Sequence, residues 1–130
     1  MRNQWLLVKL FNKAFKVKES VKPTPRIPDN NRNLSHRLLQ EELDEYWEAM
    51  VKADMVKIAD ALIDIQYVLI GAMIKHGIDF ELFEKLFQEV HDSNMSKLDD
   101  TGDPITREDG KVLKGKGYFK PNLSEILNKQ

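Results

Sequence analysis

The sequence predicts an all-α fold, a helical bundle of four main helices followed by a turn-rich, lysine-containing C-terminal segment. Three observations carry that expectation. Apolar residues recur at three- and four-residue intervals through residues 4–17, 37–70 and 80–94. Residues 37–70 contain neither Pro nor Gly. Pro, Gly, Asn and Asp gather instead at 20–33, at 76–79 and after residue 98. A chain of 130 residues is most simply one domain with a modest core.

Residues 4–17 place Leu6, Leu7, Leu10, Phe11 and Phe15 at helical spacing between lysines, an amphipathic helix that packs on the bundle rather than on a membrane. Residues 20–33 hold three of the five prolines and form a linker or extended wrap. The next helix starts at about Asn33 or Ser35, either of which can cap it. One unbroken helix over 37–70 would hold Glu42 and Asp64 roughly 33 Å apart. A shared site therefore requires either a tight break near Met50–Asp54 or a second chain bringing its own acids; the break is favoured, although no Gly or Pro marks it, and a second acidic helix runs from there to Gly71 or, preferably, to His76-Gly77. Only Asp64 and Gln66 are clearly polar between Ala61 and Ile74, so that helix reads as buried on most sides. Asp79 caps a third helix of the bundle core, Phe80 to about Asn94. The chain thus divides into a helix at 4–17, a linker at 20–33, a bundle at 34–96 that holds the acidic residues and a lysine-containing tail at 97–130.

Charge is segregated within a nearly neutral total. Residues 1–32 carry eight Lys/Arg against two acids, residues 33–64 carry eight acids against three basic residues, and residues 111–120 carry four lysines and no acid. The basic runs lack the interleaved aromatics of a nucleic-acid surface, apart from Tyr118 and Phe119. The absence of Cys argues against a disulfide framework and a thiolate zinc site, and suits a cytoplasmic protein. The N-terminal residues do not resemble a secretion signal, and no stretch is a good membrane span.

The chemistry concentrates in Glu41-Glu42-Leu-Asp-Glu45 and Asp60-Ala-Leu-Ile-Asp64. On the helical wheel Glu42 falls inside the apolar arc, with Glu45 at its edge, and Asp60 and Asp64 share a face with Ile63 and Tyr67. Unpaired carboxylates at such positions are costly unless cations compensate them. Hard oxygen donors facing one another across a bundle suit Mg, with Mn possible, better than zinc. No His lies in either cluster, which argues against a Glu-x-x-His di-iron site. There is no Walker A motif, so phosphate contacts fall to lysines such as Lys97, Lys111 and Lys114.

Glu41-Glu42-x-x-Glu45 followed by the second acidic helix resembles the all-α nucleoside triphosphate pyrophosphohydrolases, which include MazG-like enzymes, dimeric dUTPases and phosphoribosyl-ATP pyrophosphohydrolase. The likeness to the MazG-like group extends through Asp60–Tyr67, Glu89-Val-His91-Asp-Ser-Asn94-Met-Ser-Lys97 and Asp109-Gly-Lys111-Val-Leu-Lys114. The resemblance implies Mg-dependent cleavage of a nucleoside triphosphate to the monophosphate and pyrophosphate. It further implies metal ligation by Glu42, Glu45 and Asp64, and a metal-binding or water-positioning role for Glu41. By the same likeness Lys97, Lys111 and Lys114 hold phosphates, His91 and Asn94 line the nucleotide pocket, and the protein is a homodimer or homotetramer.

The family pattern on the second helix is Glu-x-x-Asp, and Ala61 stands at the Glu position when Asp64 is aligned with the Asp. Either Asp60 substitutes from one residue earlier, or the register shifts to Lys57-Ile-Ala-Asp60. The shared face of Asp60 and Asp64, and Tyr67 following Asp64, favour the first. The alternative function is a nucleotide-binding or regulatory protein of the same fold with weak or lost catalysis.

Overall fold

The computed structural model describes all residues from Met1 to Gln130, and its regular elements are all helices, α1 Arg2–Ala14, α2 Asp29–Val51, α3 Met55–Lys75, α4 Phe80–Met95 and a short α5 Leu123–Asn128. The chain packs as two compact units, Met1–Phe80 and Glu81–Gln130.

In the first unit α2 and α3 form a helical hairpin, and α1 packs on α3. The face that α1 buries is Trp5, Val8 and Asn12, at the three- and four-residue spacing of one helical stripe. Trp5 meets Phe80 edge-on at 5.8 Å. The hairpin turn is built from backbone bonds that the sequence does not advertise. Ala53 N–H donates to the Met50 carbonyl and Asp54 N–H to the Ala49 carbonyl, each at 3.1 Å, a Schellman-type end to α2. This closure puts Ala53 in the left-handed region, at φ 51°, where Gly is the usual residue. Asp54 then caps α3, its carboxylate accepting from Lys57 N–H at 3.1 Å.

Two expectations change. α2 begins at Asp29, not near Asn33 or Ser35, with Pro28 as its N-cap and no side-chain cap bond. Pro28 lacks an N–H and carries a preset φ, which suits a helix start, and Asp29 favours the positive end of the helix dipole. Nor is α3 buried on most sides, since Leu62, Ile63, Tyr67 and Leu69 are exposed in the single chain. Two helical neighbours cover only part of its circumference.

The proline-containing segment wraps the C-terminal end of α3. Thr24 N–H donates to the His76 carbonyl at 2.9 Å, and Gly77, at φ 76°, lies so close that an added Cβ would sit 2.1 Å from the Lys22 carbonyl oxygen. In the second unit the tail folds back on α4. Buried Ser93 donates its hydroxyl to the Phe119 carbonyl at 2.8 Å, and Glu89 accepts from Asn122 N–H at 2.8 Å. Residues 105–113 make a hairpin turn through Arg107–Gly110, closed by Leu113 N–H to the Ile105 carbonyl at 2.6 Å. No helix is long and apolar enough to cross a membrane.

Candidate active site

The hairpin brings the two acidic clusters level. Glu42 and Asp64 lie eleven residues to either side of Ala53, so antiparallel α2 and α3 carry them at the same height. Glu41 and Glu45 are exposed, and Glu41 faces Arg37 at 3.9 Å. Glu42 alone among the acids of α2 is drawn inward, and its Oε2 is shut off from solvent without a hydrogen-bond partner. Burial, followed by the negative fields of Glu45, Asp64 and Asp60, and then a hydrogen bond shared with Glu45, raises the Glu42 carboxyl above its ordinary range. Asp60 is exposed and Asp64 half-buried. Ala61 between them is only 2% exposed, so the position of the missing Glu is a packed one.

The side chains as they stand do not close into a ready-made group of three or more ion ligands. Their chemistry nevertheless suits a divalent cation. An orphaned carboxylate oxygen is surrounded by three like charges, and no Lys or Arg forms an ion pair with Glu42, Glu45, Asp60 or Asp64.

A cavity of about 630 Å³ opens between α1, α2 and α3 about one helical turn beyond this cluster, on the side away from the hairpin turn, and no acid lines it. One wall is the stripe Asn31, Leu34 and Leu38, which leads along α2 to Glu42; the facing one is Tyr67, Val68, Gly71 and Lys75, which continues the line of Asp64 along α3. Phe11 of α1 and Phe15, which caps its C-terminal end, stack at 4.3 Å over it, and Phe11 meets Tyr67 edge-on at 5.7 Å. Sequence reasoning missed this cavity because Phe11, Phe15 and Tyr67 at helical spacing read as core. The available signal was Lys75, eleven residues from Asp64 and so on its face, closing an otherwise apolar run.

The other predicted residues lie in the second unit. His91 and Asn94 are exposed on α4, and neither lines the cavity just described. Asn94 Oδ1 accepts from Lys97 Nζ at 2.8 Å. Lys111 is held in the 107–110 turn by its N–H to Asp109 Oδ1 at 3.1 Å, while Asp109 itself pairs with Arg107. The Lys114 ammonium lies 4.7 Å from the Tyr118 ring centroid.

Among curated protein sequences none matches the chain. Among solved structures it is similar, at TM-score 0.52 and 25% identity over 98% of this chain and 95% of the other, to a "putative NTP pyrophosphohydrolase" from Exiguobacterium sp. 255-15. The family profile described as phosphoribosyl-ATP pyrophosphohydrolase matches residues 8–94, which span α2, α3 and both acidic clusters. By that match over more than half of its length, the chain belongs to the phosphoribosyl-ATP pyrophosphohydrolase family and is a pyrophosphohydrolase.

Proposed function

We propose that the enzyme hydrolyses a nucleoside triphosphate to the monophosphate and pyrophosphate in a Mg-dependent reaction, with Mn as a possible substitute. The observation that carries this reading is the partnerless Glu42 oxygen amid Glu45, Asp60 and Asp64, a concentration of negative charge that either a proton or a bound cation relieves and that suits a divalent cation. Glu42, Glu45, Asp60 and Asp64, with Glu41 at the edge, would hold the metal. When bound, Mg supplies neutralisation of phosphate charge and a more acidic water. Glu41 and Glu45, exposed at the mouth of the cluster, orient the attacking water and accept its proton. Lys97, Lys111 and Lys114 would contact the phosphates, with His91 and Asn94 at the phosphate end of the nucleotide. The lysines bring positive charge to a substrate whose charge grows on the leaving pyrophosphate.

The exposed apolar faces of α1, α2 and α3 support assembly as a homodimer or homotetramer. The buried Ala61, standing where a family carboxylate is usual, supports a second reading: a nucleotide-binding or regulatory protein with weak or lost catalysis.

Pyrophosphate release from a panel of triphosphates, with Mg, Mn or chelator, tests both. The first reading expects release that needs the metal and falls at least about a hundredfold in Glu45→Gln and in Asp64→Asn, with the melting temperature retained. Unchanged rates in both variants under subsaturating substrate would remove the site. Metal-dependent binding without release would favour the second reading.

A further inference from the structure

The cavity between α1, α2 and α3 ends at a cation that nothing in the protein neutralises. Lys75 is half-buried and lines the cavity, and its ammonium makes one hydrogen bond, to Ser35 Oγ at 3.1 Å. Desolvation lowers its pKa, and no carboxylate offsets that cost. An ammonium has three donors and no acceptor, so Lys75 keeps donor capacity facing the cavity. The walls between are largely aromatic and aliphatic, Lys16 and Lys18 line the cavity where the chain leaves α1, and at the other end Leu38 and Tyr67 stand one helical turn from Glu42 and Asp64. Asp64 and Lys75 are about 16 Å apart along the helix axis, and long side chains lean back towards the N-terminus, which shortens the gap to be spanned.

Resting on the triphosphate reading above, we infer that this cavity receives the base and sugar of the substrate, and that Lys75 selects bases presenting a carbonyl oxygen at its end. Phe11, Phe15 and Tyr67 offer ring faces and edges against which a flat heterocycle packs. With the phosphates held at the carboxylate cluster by a divalent cation, the nucleoside would extend along the two stripes towards Lys75. Guanine O6 and uracil or thymine O4 are acceptors that an ammonium satisfies. Adenine and cytosine place an amino donor at the same position, which would leave two donors opposed and the half-buried ammonium with no acceptor on the base. Lys75 acts here on binding specificity, and it stands apart from the atoms that react.

Calorimetric titration with α,β-imido analogues of GTP, dUTP, ATP and CTP reads this directly, because the bond that would be cleaved is blocked. The wild-type protein should bind the GTP and dUTP analogues about tenfold or more tightly than the other two. Lys75→Met should bring all four within about threefold of one another, while melting at or above the wild-type temperature because a desolvated cation is gone. Lys75→Gln, which can both donate and accept, should also lose the preference, and it serves if the Met variant does not fold. Val68→Phe, which fills the cavity, should weaken all four analogues together.

Equal wild-type affinities, or a preference that survives both Lys75 variants, would overturn the assignment. Pyrophosphate release from the four natural triphosphates, measured in parallel, separates the two levels of inference. Release without base preference sinks only the role of Lys75, whereas preference in binding without release sinks only the hydrolytic reading.

Discussion

Glu42 shows how one residue can be legible in a sequence while its state is not. Its place inside the apolar arc of the wheel is visible from spacing alone, and the structure draws it inward as expected. Spacing does not reveal that its Oε2 is sealed without a partner or that three other carboxylates act on it, since both depend on how α3 returns along α2. A raised pKa has a definite thermodynamic sign. The folded state holds the proton more tightly than the unfolded chain, whose value is near 4.5. Between that value and the folded one, stability therefore falls as pH rises. In the metal-free protein Glu42→Gln should flatten this slope and be more stable than the wild type at neutral pH, as read by thermal melts in chelator over roughly pH 4–8. Added Mg should raise the wild-type melting temperature more than that of the variant. Ala61 marks the opposite case, a departure plain in the sequence whose consequence, a 2% exposed packing position, needed the fold.

At the scale of elements, ends with familiar chemistry were readable and ends made by backbone bonds alone were not. The end of α3 was legible because Gly77 supplies the left-handed residue that follows a helix. The start of α2 was placed late, since Pro28 caps it without a side-chain bond and the first turn, Asp-Asn-Asn-Arg, carries no apolar periodicity. The break between α2 and α3 was required by the distance between the acids, yet its residues hid it, with Ala53 occupying the position that Gly favours. A left-handed conformation costs a non-Gly residue roughly 1–2 kcal/mol, partly offset by the greater freedom that Gly has when unfolded. Ala53→Gly should therefore stabilise the hairpin by about 0.5–1 kcal/mol, a rise of a few degrees in melting temperature. A fall would mean that the Ala53 methyl group makes packing contacts worth more than the strain. The tail's return onto α4 through Ser93 and Phe119 could not be foreseen, because a serine on a helix carries no mark of a carbonyl 26 residues away.

For the whole molecule, the apolar surface is the fact that a single chain leaves unresolved. Trp47 on α2 is 65% exposed and Ile63 on α3 66%; Trp47 follows Glu45 by two residues and Ile63 directly precedes Asp64. Scattered exposed apolar residues are ordinary, but here they join Leu43, Val56 and Tyr67 on the same two helices. The all-apolar look of α3 and its incomplete burial are reconciled if a second copy covers this face. Such a copy would also exclude water beside the carboxylates and strengthen their hold on a cation. Each buried Ile or Trp contributes roughly 1.5–3 kcal/mol to association, and a carboxylate in its place would have to be desolvated. Ile63→Asp should therefore shift the protein to monomers at micromolar concentration in sedimentation velocity, keep its helical circular dichroism, and lower the apparent affinity for Mg. If the wild type sediments as a monomer under the same conditions, α3 functions with its apolar face in water and this account of its sequence fails. If Ile63→Asp dissociates the protein yet binds Mg as the wild type does, the covering copy serves stability alone, and the carboxylate cluster is complete within one chain.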